Sequence, residues 1–154
     1  MKNFDKCIIR KWNVNVTVNA QDNNKFIVAS KTVEVNGYLA ERYGYTDAVK
    51  DGVSALDVLV AAHEYVYGDK FTTSTAKDYI DFSTSQYGTF VSKAFGKDAS
   101  TFMYSINGKY PHNDELVNGY YTGYTVDQAK NSRQWCSWFL FPSGCRIFRW
   151  FINN

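Results

Sequence analysis

Few residues of this chain have the types and spacing that acid–base or metal chemistry requires, because the sequence contains only two histidines. The first, His63, is followed by Glu64 in "HEYVY". The helical zinc-protease motif needs a second histidine four positions after the first, and a tyrosine stands there instead. We therefore interpret His63 as a packed residue on the core-facing side of a helix.

The second histidine and the cysteines also lack the spacing of a metal site. His112 opens the polar stretch "HNDE", which favours a solvated loop over a metal-binding loop. The three cysteines are Cys7, Cys136 and Cys145. Cys136 and Cys145 are compatible with a disulfide across a hairpin and equally with free, buried thiols. We predict no metal ion.

No catalytic residue can be named from the sequence. It contains no recognisable Ser-His-Asp or Cys-His-Asn set and no GxxxxGK[ST] phosphate-binding loop, and no pair stands out among its many carboxylates. Cys136 lies in an apolar strand pattern, which favours packing over a reactive thiolate. We expect that the protein is not an enzyme.

Tyrosines in the second half of the chain are the better functional candidates, since 12 of the 154 residues are Tyr. Tyrosine offers a flat apolar face and a polar tip, which suits stacking on a sugar, a ring or another protein. The alternative is that several of them only cover the edge of a sheet. The candidate ligand-binding residues are Tyr104, Asn107, Tyr110, Tyr120, Tyr121 and Tyr124.

Charge and hydropathy exclude two classes of partner. The 17 basic residues barely exceed the 15 acidic ones, whereas nucleic-acid-binding domains concentrate basic residues to neutralise phosphates. No apolar run approaches the length of a membrane span. The start, "MKNFDKCIIRKW", does not read as a signal peptide. Either the protein is cytosolic, or a signal and flanking domains lie outside this chain.

The elements that must position these residues begin with two strands. "WNVNVTVNAQ" alternates with period two and places Val14, Val16 and Val18 on one face. "DNN" is a turn, and "KFIVASKTVEVNG" repeats the alternation at Val33 and Val35. We expect these two strands to form a hairpin.

One main helix is predicted at about residues 54–67. Ser54 is a suitable N-cap, Asp57 completes an acidic capping box, and Gly68 ends the helix. Helical spacing predicts that one stripe of the helix faces the core. This stripe consists of Leu56, Leu59, Val60, His63 and Tyr67.

The rest of the chain is predicted to be less regular. One or two helical turns fall at 75–82, with an irregular or extended piece at 90–95. Residues 101–106 form a strand that turns at Asn107-Gly108, since Asn-Gly between apolar residues is the strongest short hairpin signal. "PHNDELVNGYYTGYTVDQAK" is a long, Tyr-rich loop, "WCSWFLF" a final strand, and "GCRIFRWFINN" an extended stretch or tail. The chain is therefore one α+β domain over residues 1–154, a mixed sheet packed on one helix.

Four motifs occur in an order that resembles a known family. They are "VTVNAQ", "DGVSALDVLVAAHE", "YSINGKYP" and "GYTVDQAK", within about residues 13–141. The order is similar to that of a bacterial family of unknown function, which resembles the C-terminal domain of transcobalamin and is common in surface proteins of Gram-positive gut bacteria. The resemblance implies a β-grasp-like fold, an extracellular or wall-associated setting and no enzyme activity. Tyr104, Asn107 and Gly108 match the family's hairpin best.

The expected function follows from the tyrosines and the resemblance together. We expect a non-catalytic extracellular binding or adhesion module of a larger bacterial surface protein, with an unidentified protein or glycan ligand. One alternative is a small-molecule carrier domain, for which the resemblance implies cobalamin as the only candidate cofactor. Another is a structural subunit of a surface fibre, which self-assembles through exposed sheet edges.

Overall fold

The structure is a computed structural model that describes residues 11–20, 25–46, 52–99, 102–129 and 146–152. Its strands are β1 Lys11–Ala20, β2 Lys25–Asn36, β3 Asp81–Ser85, β4 Gly88–Ala94, β5 Lys97–Asp98, β6 Met103–Ile106, β7 His112–Val117, β8 Tyr120–Gly123 and β9 Arg146–Ile152. Its helices are α1 Leu39–Arg42, α2 Ala55–Tyr67 and α3 Ala76–Tyr79, with a short 3₁₀ turn at Gly68–Lys70. None of the described helices is long and apolar enough to span a membrane.

The main sheet has the strand order β2-β1-β9-β6. Strand β1 runs antiparallel to β2 and parallel to β9, and β6 runs antiparallel to β9. The first and last described strands are thus the central parallel neighbours, with α2 packed on the sheet. This order confirms the α+β class, with a mixed sheet packed on one main helix.

The β1–β2 hairpin forms as its alternation predicts. The side chains of Val14, Val16 and Val18 are fully buried, and Val33 and Val35 come from β2 to the same core. The pairing register joins Val14 to Val33 directly. The predicted turn at 22–24 lies outside the described residues. Period two therefore sufficed to identify the buried face of both strands.

The last strand differs from the expectation. The predicted strand at 135–141 lies outside the described residues, as do the three cysteines. The described strand that completes the sheet is β9, within the stretch "GCRIFRWFINN" that the sequence predicts to be extended or a tail. Its place depends on a parallel pairing with β1, more than 120 residues earlier, which no local pattern reveals.

Helix α2 begins and ends where its sequence predicts. Ser54 is the N-cap, the capping box with Asp57 is complete, and Gly68 is the C-cap with a φ of 52°. The predicted single core-facing stripe is too narrow, because every residue from Ala55 to His63 is buried. The aromatic rings of Phe71 and Phe95 lie against His63, so the helix is covered on sides that do not face the sheet.

The side chains of the capping box do more than cap the helix. Ser54 Oγ accepts a hydrogen bond from the Asp57 amide at 2.9 Å. The Asp57 carboxylate accepts from the Ser54 amide at 3.1 Å and from the Ala40 amide, in α1, at 2.8 Å. Asp57 is fully buried, so it satisfies two backbone donors that water cannot reach. One carboxylate therefore joins α1 to α2.

The two remaining donors at the start of α2 are satisfied by a distant segment. The amide of Ala55 donates to the Ala129 carbonyl at 2.9 Å, and the amide of Leu56 donates to the Val126 carbonyl at 3.0 Å. A helix leaves its first backbone N–H groups without intrahelical partners. Here the chain after β8 supplies those partners and is thereby held against the helix.

A second, small sheet occupies the part of the chain that the sequence predicts to be less regular. It has the order β3-β4-β5, and α3 is the single helical turn within the predicted 75–82 stretch. Strand β4 contains most of the piece at 90–95 that was expected to be irregular or extended. Phe95, with a φ of 51°, and Gly96, with a φ of 73°, form the turn into β5.

We predict that Asp57→Ala lowers the free energy of unfolding by about 3 kcal/mol, because it leaves the Ser54 and Ala40 amides buried without an acceptor. Urea unfolding followed by circular dichroism measures this change. Asp69→Ala, at an exposed position in the 3₁₀ turn, is the matched control and should change stability by less than about 0.5 kcal/mol. Equal effects of the two variants would contradict the role of Asp57.

Candidate functional site

The first Asn-Gly turn has the predicted geometry. Asn107 has a φ of 53° and Gly108 a φ of 76°, as a two-residue type I′ turn requires. Ile106 and Lys109 exchange two backbone hydrogen bonds of 2.9 and 3.0 Å across it. Asn107 therefore has a backbone role in this turn, which accounts for its place in the sequence without a ligand.

Tyr104 lies inside the protein. Its side chain is only 7% exposed, and its hydroxyl donates to the Tyr124 carbonyl at 2.7 Å. Burial raises the pKa of this phenol, so it keeps its proton as the donor of that bond. Of the candidate tyrosines, Tyr104 thus anchors the end of the following strand pair and does not belong to an exposed surface.

The stretch predicted to be a long, Tyr-rich loop contains a second hairpin, so the loop prediction is wrong. Strands β7 and β8 pair antiparallel, and we call residues 112–123 the ribbon. Its turn is Asn118-Gly119, with φ values of 52° and 82°. The signal in "LVNGYY" is the same as at Asn107-Gly108 and was overlooked. Among the described strands, the ribbon joins neither of the two larger sheets.

The tip of the ribbon is apolar and exposed on both faces. Tyr120 is 79% exposed, Leu116 61% and Val117 52%. Val117 and Tyr120 are directly opposite one another, so their side chains share one face. Leu116 precedes Val117 on the same strand and points to the other face. Leu116 and Val117 are not among the residues predicted from the sequence. Their position directly before Asn118-Gly119 is a signal that could have identified them.

Tyr110 and Tyr124 lie at the base of the ribbon. The ring of Tyr110 covers Gly123 so closely that a Cβ at that position would overlap it. The Tyr124 amide donates to the Pro111 carbonyl at 3.1 Å, which closes the ribbon at its base. Gly123 and Tyr120 are three positions apart on the strand, a distance of about 10 Å.

The candidate tyrosines therefore divide into three groups. Tyr104 is buried, Tyr110 and Tyr124 flank the ribbon's base, and Tyr120 is at its tip. The backbone of Tyr121 pairs with that of Leu116 in β8. The exposed surface that remains consists of the ribbon tip, with the two base tyrosines beneath it.

The base of the ribbon continues into a polar anchor. Asp127 Oδ1 accepts a hydrogen bond from the Thr125 hydroxyl at 2.6 Å and another from the Thr89 amide, in β4, at 3.2 Å. Both Asp127 and Thr125 are buried. The segment after the ribbon is thus fixed to the small sheet as well as to the start of α2, which sets where the ribbon emerges.

His63 and Glu64 are engaged in packing, as the sequence predicted for His63. The His63 ring is fully buried, stacks on Phe95 at 3.9 Å and lies with Nδ1 2.8 Å from the Leu59 carbonyl. Its Nε2 accepts from the Phe95 amide at 2.9 Å, so the ring is neutral with its proton on Nδ1. Glu64 accepts a hydrogen bond of 2.8 Å from the Tyr43 hydroxyl.

His112 begins strand β7 and is half-buried, and so the solvated-loop prediction is wrong for it. Within the described ranges, no three His, Cys, Asp or Glu side chains group closely enough to hold a metal ion. The exposed ribbon therefore remains the candidate site.

Comparison with protein families finds no matching family, and no curated protein matches the chain. A solved structure from Ruminococcus gnavus, described as a "putative metal binding protein", aligns with 92% of this chain and 95% of its own. The two chains are 13% identical, with a TM-score of 0.41. A likeness at this level carries no conclusion about family, metal or ligand, and the transcobalamin-like family is not confirmed by it.

We predict that acid weakens the fold through His63. Burial holds the pKa of the folded histidine at about 4, below its ordinary value of 6.5. The unfolded chain therefore takes up a proton first, and this contribution to stability is complete above about pH 6.5 and is lost as the pH falls toward 4. Between pH 7 and 5 the loss amounts to about 2 kcal/mol.

Urea unfolding at pH 7 and pH 5 tests this expectation. His63→Gln has no titrating ring, so its stability should change less than that of the natural chain over this interval, by about 2 kcal/mol. The acidic groups titrate in both proteins and cancel in the comparison. The same pH dependence in both would show that His63 is not responsible.

We also predict that Gly123→Ala displaces the Tyr110 ring and loosens the ribbon's base, because the new methyl group occupies the space of that ring. The exchange rate of the Tyr124 amide, bonded to Pro111, should rise about tenfold. A variant that already carries Tyr110→Ala distinguishes overlap with the Tyr110 ring from any other effect of the added methyl group. Adding Gly123→Ala to it should raise the rate little further, and a full tenfold rise there would contradict the overlap.

Proposed function

We propose that this chain is a non-catalytic binding module of a bacterial surface protein and that its ribbon binds a partner protein. The observation that carries the proposal is the ribbon tip, where Leu116, Val117 and Tyr120 are exposed on both faces of a strand pair that joins neither larger sheet among the described strands. The surface setting is supported by the family resemblance in the sequence.

The energetics of the ribbon favour an interaction role. An isolated two-stranded hairpin is marginally stable in water, and single exposed apolar residues are common on protein surfaces. Val117 and Tyr120 are exposed side by side on one face, and Leu116 is exposed on the other, so each face of the ribbon tip presents apolar surface of the kind that marks binding sites. Tyrosine at the centre of such a patch is among the residues that contribute most to protein interfaces.

The surroundings of Tyr120 favour a protein over a sugar or a corrinoid. A glycan site combines an aromatic face with hydrogen-bonding groups that orient the sugar, whereas the residue directly opposite Tyr120 is the aliphatic Val117. Small-molecule carriers enclose their ligands in concave pockets, whereas the side chains at the ribbon tip are exposed. Protein grooves accept projecting apolar side chains.

No catalytic step is part of this proposal. Both ring nitrogens of His63 are used within the core, and the Glu64 carboxylate accepts from Tyr43. These contacts account for the His-Glu pair of the sequence by packing and hydrogen bonding. The proposal therefore assigns the protein's activity to its surface alone.

We predict that combining Val117→Ser with Tyr120→Ala weakens partner binding by at least about 30-fold, since the loss of an interface centre costs 2 kcal/mol or more. Biolayer interferometry of the immobilised chain against a panel of extracellular-matrix proteins and mucin measures it, with cyanocobalamin as a carrier probe. Tyr87→Ala, at a tyrosine that is 71% exposed outside the ribbon, is the matched control and should bind normally.

The thermal melt should be unchanged in the double variant and in the control, because these side chains contribute little to the core. Undiminished affinity of the folded double variant would contradict a binding role for the ribbon. A rise in melting temperature with cyanocobalamin, and saturable binding to no protein of the panel, would favour the carrier hypothesis instead.

A further inference from the structure

The outer edge of the ribbon, along strand β8, can take part in an interaction separate from the binding proposed for the ribbon's faces. We propose that strand β8 pairs antiparallel with β8 of a second copy of this chain, about a two-fold axis, so that two ribbons form one four-stranded sheet. This inference goes beyond the binding role of the ribbon's faces and does not depend on which partner they bind.

The outer edge of β2 and the edge of β7 carry features that prevent such pairing. At the edge of the main sheet, β2 is interrupted by a bulge, since its register passes from Lys31 opposite Val16 to Val28 opposite Val18. Ser30, within the bulge, has a φ of 47°. Bulges and charged side chains are the usual means by which proteins block edge-to-edge association.

Strand β7 is blocked in the same way. Its register runs from His112 opposite Gly123 to Leu116 opposite Tyr121, so four steps along β7 match two along β8. The two extra residues form a bulge in the stretch that contains Asp114 and Glu115. A second β7 placed beside it would bring like charges together, which is unfavourable across a strand pair.

Strand β8 has none of these features. Its residues, Tyr120–Gly123, include no charge and no proline, and its only neighbouring strand among those described is β7. In a two-residue hairpin, Tyr120 and Val117 exchange their backbone hydrogen bonds across the turn. The N–H and C=O groups of Tyr121 therefore point away from β7, toward the edge of the ribbon that pairs with no other described strand.

A second copy fits this edge because an uncharged strand can meet itself without repulsion. Two-fold symmetry makes the pairing isologous, so each backbone bond occurs twice and the assembly closes at two chains. An axis perpendicular to the ribbon also puts the Val117–Tyr120 faces of both copies on one side. The pair would then present a single, wider apolar surface to a partner.

The expected dimer is weak. Pairing four residues per copy buries on the order of a few hundred Å² on each chain, less than the roughly 800 Å² of a standard stable interface. We expect a dissociation constant on the order of 100 µM. The dimer therefore forms at high local concentration, as when many copies are displayed close together.

Sedimentation velocity of the full chain from about 10 µM to about 1 mM tests the proposal, since this range spans the expected dissociation constant. The weight-average mass should rise from one chain toward two. Thr122→Lys places a charge in β8, opposite its own copy, and should keep the protein largely monomeric at about 1 mM by weakening the dimer about a hundredfold. High salt should partly restore its dimer, because it screens the two lysines.

The matched control is Thr84→Lys, which makes the same change at an exposed strand position of β3, in the other sheet. It should dimerise like the natural chain, and both variants should have the natural thermal melt. Three results would overturn the proposal: a natural chain that stays monomeric at about 1 mM, a Thr122→Lys variant that dimerises as well as the control, or a mass that grows beyond two chains.

Discussion

The start of helix α2 is buried, and the rest of the structure depends on how its backbone N–H groups find acceptors there. Water cannot reach them, and an unsatisfied buried amide costs about as much as a lost hydrogen bond. Ser54 satisfies one donor within the helix, and the carbonyls of Val126 and Ala129 satisfy two more. Asp57 meanwhile reaches back to the amide of Ala40. The cap thus fixes segments from three parts of the chain around one point.

The position of the ribbon follows from that cap. The residues that complete it come directly after β8, and between them Asp127 bonds to Thr125 and to β4. Tyr104 holds the carbonyl of Tyr124 from the main sheet. The ribbon is therefore fixed at its base by contacts to the main sheet, the small sheet and α2, whereas the apolar side chains at its tip are exposed. Interaction sites commonly combine a rigid scaffold with such an exposed segment.

His63 and Glu64, the adjacent residues whose types suggested acid–base or metal chemistry in the sequence, stabilise the fold. His63 accepts the amide of Phe95, whose φ of 51° is unfavourable for an aromatic residue, and the stacked rings compensate for that conformation. Burial, and to a lesser extent the hydrogen bond that the Tyr43 hydroxyl donates to Glu64, raises the pKa of Tyr43 to about 12. The exposed surface of the ribbon tip, by contrast, is apolar because it consists of aliphatic and aromatic side chains.

The sequence by itself determined the features whose causes are local. Alternation identified the buried valines of β1 and β2, the Ser54–Asp57 spacing identified the cap, and Asn107-Gly108 identified a turn by its need for positive φ. The equivalent signal at Asn118-Gly119 was present but obscured, because the bulge in β7 breaks the alternation before it.

Only the tertiary structure decided which tyrosine is buried and which is exposed. Tyr104 and Tyr120 both lie in short, Tyr-containing strands beside an Asn-Gly turn. Tyr104 lies in β6, which pairs with β9 in the main sheet. Tyr120 lies in β8, which among the described strands pairs only with β7. The parallel pairing of β9 with β1, and the covering of α2 on several sides, likewise join residues far apart in the chain. Local pattern states what a segment can form, whereas burial depends on which distant segments pack against it.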